Sequence, residues 1–280
     1  MTTVINEGTL PEPLFLDSNA GKIFALFFPA QSPLKGSILY LPPFAEEMNR
    51  CRTTAAHQAR NFSRLGYATL LLDPYGTGDS QGDFNETSWT VWLDDVKNAA
   101  DWLRTRTNTD ITLWGCRLGA LLAANMADQH PNEFQKLLLW QPVLDGKMFL
   151  TQYLRLRVAF LMDNGLPPET TESMRNAMRA GESVEVAGYA LSPQLASDLD
   201  EKRLIEFSNL KNLNVKWFEH VAESGKPITL ISKKVIATLQ NKKCDVSVHT
   251  FIGPQIWQLQ KRDEIPNLVD QTTAVFGNEP

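Results

Sequence analysis

The sequence predicts an α/β fold: a single domain over residues 1–280, built on an about eight-stranded, mostly parallel sheet, with a helical cap inserted at 146–213 after strand 6. Three observations carry this reading. Short apolar runs alternate with longer stretches whose apolar residues recur at helical spacing, the strand–crossover–strand rhythm of a parallel sheet. The rhythm breaks once, between Asp145 and Asn214, and then resumes. The chain has 280 residues, 43% hydrophobic and 21% charged, enough to bury a large core without covalent staples.

The elements follow in order. Leu14–Asp17 and Ile23–Phe28, joined by a Ser-Asn-Ala-Gly turn, read as an antiparallel hairpin. Ser37–Leu41 and Ala68–Leu72 read as parallel strands around a helix over Asn49–Leu65, which Gly66 closes. Trp89–Arg104 places Trp89, Trp92, Leu93, Val96, Ala99, Ala100 and Leu103 on one helical stripe. Ile111–Trp114 is a strand, Leu118–Gln129 an apolar buried helix, and Leu137–Gln141 the sixth strand. The break is expected to be helical, over Tyr153–Met162, Thr170–Arg179 and Pro193–Asp198, with no core strand. Val215–Val221, Ser232–Gln240, Val246–Ile252 and Pro266–Phe276 complete the strand–helix alternation.

Composition narrows the function. The net charge is −5 and no Lys/Arg cluster stands out, which argues against nucleic acid as a partner. Cys51, Cys116 and Cys244 are too widely spaced for a zinc motif, no other metal or cofactor motif is present, and a reducing cytoplasm is expected. The start, MTTVINEGTLPEPLF, lacks the pattern of a signal peptide, and no apolar run reaches the length of a membrane span.

In an open α/β sheet the site lies at the C-terminal ends of the strands. Two of those loops are recognisable. Asp73-Pro-Tyr-Gly-Thr-Gly-Asp-Ser80 resembles the D-x-x-G-x-G-x-S turn after the fourth strand of the α/β-hydrolase superfamily. Gly115-Cys-Arg-Leu-Gly119 is similar to its nucleophile elbow, G-x-Nu-x-G. The insertion after strand 6 also stands where that superfamily carries its lid. A closer resemblance rests on Leu41-Pro-Pro-Phe-Ala-Glu-Glu-Met-Asn49, Gly76–Ser80, Gly181–Tyr189 and Gly253-Pro-Gln-Ile-Trp257. Together these resemble the exosortase A system-associated hydrolases, second type, which accompany exosortase and exopolysaccharide genes in Gram-negative bacteria. The resemblance implies a hydrolase by name and specifies no reaction.

The residues at the elbow argue against the usual reaction. The nucleophile position is Arg117, a permanently protonated guanidinium that attacks nothing near neutral pH. After the last strand, where the superfamily places its His, the sequence reads Ile252-Gly-Pro-Gln-Ile-Trp-Gln258, and no His follows. The catalytic candidates are therefore unconventional. Cys116 is either a reactive thiol paired with His220 or a small buried hydrophobe facing away from the apex. His57 and His130 lie on or beside helices, and His249 lies mid-strand; His220 alone is in the right layer. Glu223 and Asp145 are candidate acids, and Glu46, Glu47 or Asp145 could activate a water. Arg117 either pairs internally with Glu46, Glu47 or Asp145, or makes an anion site with the N–H groups of the helix it opens.

Phe44, Glu46, Glu47, Leu118 and Trp257 join Arg117 as candidate ligand-binding residues, with packing under the cap the expected role of the Phe44 and Trp257 rings. Phe44, Ala45 and Leu118 still offer backbone N–H groups, which Pro42 and Pro43 lack. Three functions stay open. The chain is a degenerate hydrolase binding an acyl, sugar-linked or anionic ligand, an active esterase or thioesterase, or an interaction protein of an exopolysaccharide or exosortase assembly. A second copy of the chain is an admitted partner.

Overall fold

The computed structural model describes residues 10–258 and 267–278. Residues 1–9, and Pro266 at the expected start of the last helix, lie outside the described residues. Eight strands make one sheet: β1 (Glu12–Asp17), β2 (Lys22–Phe28), β3 (Gly36–Leu41), β4 (Tyr67–Leu72), β5 (Ile111–Cys116), β6 (Lys136–Trp140), β9 (Asn214–His220) and β10 (Asp245–Phe251). Their order across the sheet is β1-β2-β4-β3-β5-β6-β9-β10. β1 with β2 and β2 with β4 pair antiparallel, and the other neighbours pair parallel. This is the expected arrangement of two antiparallel strands followed by six parallel ones.

Burial explains the order. Gly36-Ser-Ile-Leu-Tyr-Leu41 and Ile111-Thr-Leu-Trp-Gly-Cys116 are buried at every position, as strands covered on both faces must be. β1 and β10 are the most exposed strands of the sheet and form its edges. Helices α1 (Glu46–Leu65) and α8 (Asn267–Gly277) cover one face around Phe62, Trp114 and Trp140. Helices α2 (Trp89–Thr107) and α3 (Leu118–Gln129) cover the other, with α7 (Leu230–Asn241) following β9. Helix α1 begins three residues before the expected Asn49, because Ala45 turns the chain directly out of β3.

Between β6 and β9 the chain folds as α4 (Gly146–Asp163), α5 (Thr171–Arg179), a hairpin of β7 (Val184–Val186) and β8 (Tyr189–Leu191), then α6 (Pro193–Glu201). The hairpin corrects the expectation of an all-helical segment. Its turn is Ala187-Gly188, both at positive φ (52° and 84°), as a two-residue type I′ turn requires. Val184 and Val186 bury their side chains while Glu185 faces out, an alternation only three residues long.

The switch point positions the site. From β3 the chain crosses α1 to β4 on one side, and from β4 it crosses α2 to β5 on the other. The ends of β3 and β5 are therefore neighbours, with Leu41 registered against Gly115, and the crevice opens above them. Among the described residues, no helix is long and apolar enough to cross a membrane.

Candidate functional site at the β5 elbow

Arg117 stands between β5 and α3 at φ 54° and ψ −115°, a conformation side chains avoid at a cost of about 1–3 kcal/mol. Its surroundings leave no other path. A Cβ on Gly115 would run into the Ala120 backbone, and one on Gly119 into the carbonyl oxygens of Leu41 and Pro42. The two glycines thus let α3 start flush against β3 and β5. Arg117 N–H donates to Trp140 O (2.9 Å), and Val143 N–H donates to Arg117 O (3.0 Å), tying the turn to β6.

The guanidinium is 17% exposed and held by Glu47, itself 22% exposed. Nη2 donates to Oε1 (3.1 Å) and Nε to Oε2 (3.3 Å), a two-point pairing of fork with carboxylate. Burial raises the Glu47 carboxyl above its usual range, and the facing Arg117 charge offsets only part of that rise. On its other side Arg117 Cζ lies 4.9 Å from the centre of the Trp257 ring. The residue at the nucleophile position and the residue near the base position are therefore in contact, as a cation on an indole.

The first turns of α1 brace this pair. Arg50 Nη1 donates to Gln258 O (3.1 Å), holding the Trp257 loop. Asn49 Nδ2 donates to Tyr189 Oη (3.0 Å) on β8 and to Glu46 Oε2 (3.1 Å). Glu46 also faces Arg50 at 3.6 Å. Arg50, Asn49 and Tyr189 escape sequence reasoning. The one signal available is the i, i+3, i+4 spacing of Glu46, Asn49 and Arg50.

The remaining candidates are distributed as follows. Cys116 is fully buried on the α1 side of the sheet, in the same cluster as Cys51 and Tyr40. Its hydrogen bond with the Cys51 thiol, together with burial, pushes Cys51 well above the usual thiol range. His220 is bonded through Nε2 to Gly253 O (2.8 Å), and its backbone N–H donates to Gln141 Oε1 (2.7 Å). Glu223 is 74% exposed and faces Lys226 at 3.8 Å. Asp145 caps α4, accepting from Met148 N–H (2.9 Å), and pairs with Arg203 at 3.2 Å. Among the described residues no hydrogen bond joins any two of Cys116, His220, Glu223 and Asp145. Of the three carboxylates considered for Arg117, Glu47 is the one that binds it.

Phe44 is buried, its ring set edge-on to Phe84, Trp92, Phe149 and Tyr153 at 5.2, 6.0, 5.5 and 4.9 Å. Leu118 is equally buried, beside it. These rings fill the crevice under the inserted segment. The cavity left between Phe44, Trp92, Leu118 and Gly119 measures about 20 Å³, space for a single water.

The comparisons with known proteins agree with this frame. Residues 32–196, more than half the chain, match the serine aminopeptidase S33 family. No curated protein matches the chain by sequence. Among solved structures, Est1E from Butyrivibrio proteoclasticus with bound ferulic acid superposes at TM-score 0.68 and 16% identity, over 94% of this chain and 96% of that one. A soluble variant of monoglyceride lipase from Saccharomyces cerevisiae, in complex with a substrate analogue, superposes at 0.66 and 16% identity, over 96% and 95%. At these identities the structures establish a shared fold, and the sheet order, the strained elbow with its two glycines and the sequence match together place the chain in the serine aminopeptidase S33 family of the α/β-hydrolase superfamily.

Proposed function

We propose that this protein uses the hydrolase fold to bind an anionic ligand at the crevice mouth rather than to cleave an ester through a serine-type nucleophile. One observation carries the reading: the apex of the elbow is a guanidinium paired with Glu47 and stacked on Trp257. A nucleophile needs a removable proton and a base to take it. Arginine gives up no proton, and the indole nitrogen of Trp257 accepts none.

The same groups suit recognition. Glu47 engages Nε and Nη2, and among the described residues Nη1 of Arg117 meets no acceptor. The Leu118 and Gly119 N–H groups, the first two of α3, have no intrahelical partner, while Ala120 N–H turns back to Arg117 O (3.1 Å). A carboxylate or phosphate oxygen can use both. An acyl chain is disfavoured by the 20 Å³ cavity, and a sugar ring by the burial of Trp257. The motif resemblance supports a role beside an exosortase or exopolysaccharide system, and the cysteine usage supports a cytoplasmic location; both belong to this proposal.

The test is a thermal-melt titration with acetate, benzoate and inorganic phosphate. At least one should raise the melting temperature saturably in the wild type and not in Arg117→Ala. Equal shifts in both proteins would refute the anion site.

A second reading has one observation in its favour. Glu47 is the acid at the apex, and burial moves its carboxyl toward the range of a general base. If it activates water, p-nitrophenyl esters or acyl thioesters are turned over by the wild type and by Cys116→Ala, but not by Glu47→Gln.

A further inference from the structure

A second cleft opens on the α1 face of the sheet, next to the small cavity beside the elbow. Phe24 and Leu26 of β2, Leu71 of β4, and Met48, Ala55 and Ala56 of α1 line it. Its volume is about 140 Å³. An apolar cavity of about 150 Å³ takes up benzene, so this one matches a body of about six or seven heavy atoms. We propose that this cleft is a binding site for a small neutral molecule with an apolar ring or short chain and one hydroxyl group, of the size of phenol.

The rim supplies the polarity. Arg52 Nη2 donates to Asp73 Oδ2 (2.6 Å), and Asp79 N–H donates to the same oxygen (3.0 Å). Among the described residues Oδ1 of Asp73 accepts no hydrogen bond, so it is the acceptor for a ligand hydroxyl. Arg52 also faces Asp79 at 3.8 Å. Arg52 and Asp73 are the charged residues of the lining and balance each other, and Asp79 beside Arg52 adds a second carboxylate just outside it, a setting that admits a neutral donor and disfavours an anion. Ligand chemistry is thus opposite to that proposed at Arg117, and this inference does not rest on that reading.

The two sites share walls. Pro42 and Met48 line both this cleft and the small cavity beside the elbow. Met48 is the residue after Glu47, and an unbranched thioether is the side chain best able to shift when the cleft fills.

The test is binding of phenol, with benzoate as the anionic isostere, followed by melting temperature and by amide shifts in NMR spectra. Phenol should bind the wild type and Arg117→Ala saturably, and benzoate should bind Arg117→Ala, where the anion site is removed, at least tenfold more weakly than phenol does. Ala56→Leu, which places a side chain in the cleft, should weaken phenol at least tenfold. Should Ala56→Leu not fold, the wild-type amide shifts decide: they should fall on Phe24, Leu26 and Leu71. No saturable phenol binding, unchanged affinity in folded Ala56→Leu, equal affinity for benzoate in Arg117→Ala, or phenol-induced shifts centred on Trp257 would each overturn the proposal.

Discussion

Two strand-to-helix turns stand side by side above the sheet with nearly one backbone conformation and two different occupants. Ala45, between β3 and α1, has φ 51° and ψ −126°; Arg117, between β5 and α3, has φ 54° and ψ −115°. Neither makes a side-chain cap, whereas Ser88, Asp145, Thr170, Ser192 and Thr229 cap α2, α4, α5, α6 and α7. Among the α-helices whose cap residue is described, the first turns of α1 and α3 are therefore the starts without a capping oxygen, and both meet at the crevice. At Ala45 the strained residue is small and buried; at Arg117 it carries a charge that must find partners. The turn and its chemistry are thus specified separately. Close packing against Leu41, Pro42 and Ala120 enforces the geometry through Gly115 and Gly119, and the apex side chain can then change without unmaking the turn.

The largest expected effect tests that separation. Gly119→Ala should cost about 3–5 kcal/mol in denaturant unfolding, because its methyl meets two carbonyl oxygens that belong to β3 and its loop. A cost below about 1 kcal/mol would mean that the glycine does not enforce the turn.

The next effects concern the charge at the second apex. Glu47→Ala should destabilise by about 1–3 kcal/mol, since it leaves a mostly buried guanidinium with one fewer partner. Glu47→Gln keeps shape and an acceptor, and it sharpens the sign. The folded-state value of Glu47 is raised, so its stabilising contribution is complete below the ordinary glutamate value and is lost as pH climbs through the folded one. Wild type and Glu47→Gln should thus be equally stable in acid, with wild type losing ground as pH rises across that window. A difference that widens toward acid instead would show that the pair lowers the carboxyl.

The smallest effect belongs to the first apex. Ala45→Gly should relieve the positive φ and stabilise by about 0.5–1 kcal/mol, with no charge lost. Destabilisation would mean that the buried Ala45 methyl contributes more packing than the turn costs.

Much of this was legible in the sequence. Continuous apolar runs announced the buried strands, and Gly115 and Gly119 announced the elbow, because those signals are local. Arg117 at the apex and the absence of a late His were equally plain. The partner of Arg117 was legible only as three alternatives, since Glu46, Glu47 and Asp145 differ in direction rather than in type. The contact with Trp257 depends on a loop's path and left no trace in spacing. Phe44 shows the same limit. Its place on a site loop left a ligand contact open beside the expected packing under the cap, and the positions of Phe84, Trp92, Phe149 and Tyr153 show which rings it packs on. The β7–β8 hairpin was hidden by its length, three residues a strand.

With Arg117 at its apex, the elbow should present no nucleophile to an electrophile. After incubation with a fluorophosphonate, intact-mass measurement should find the protein unmodified; one equivalent of covalent adduct on a crevice residue would show that a nucleophile is there.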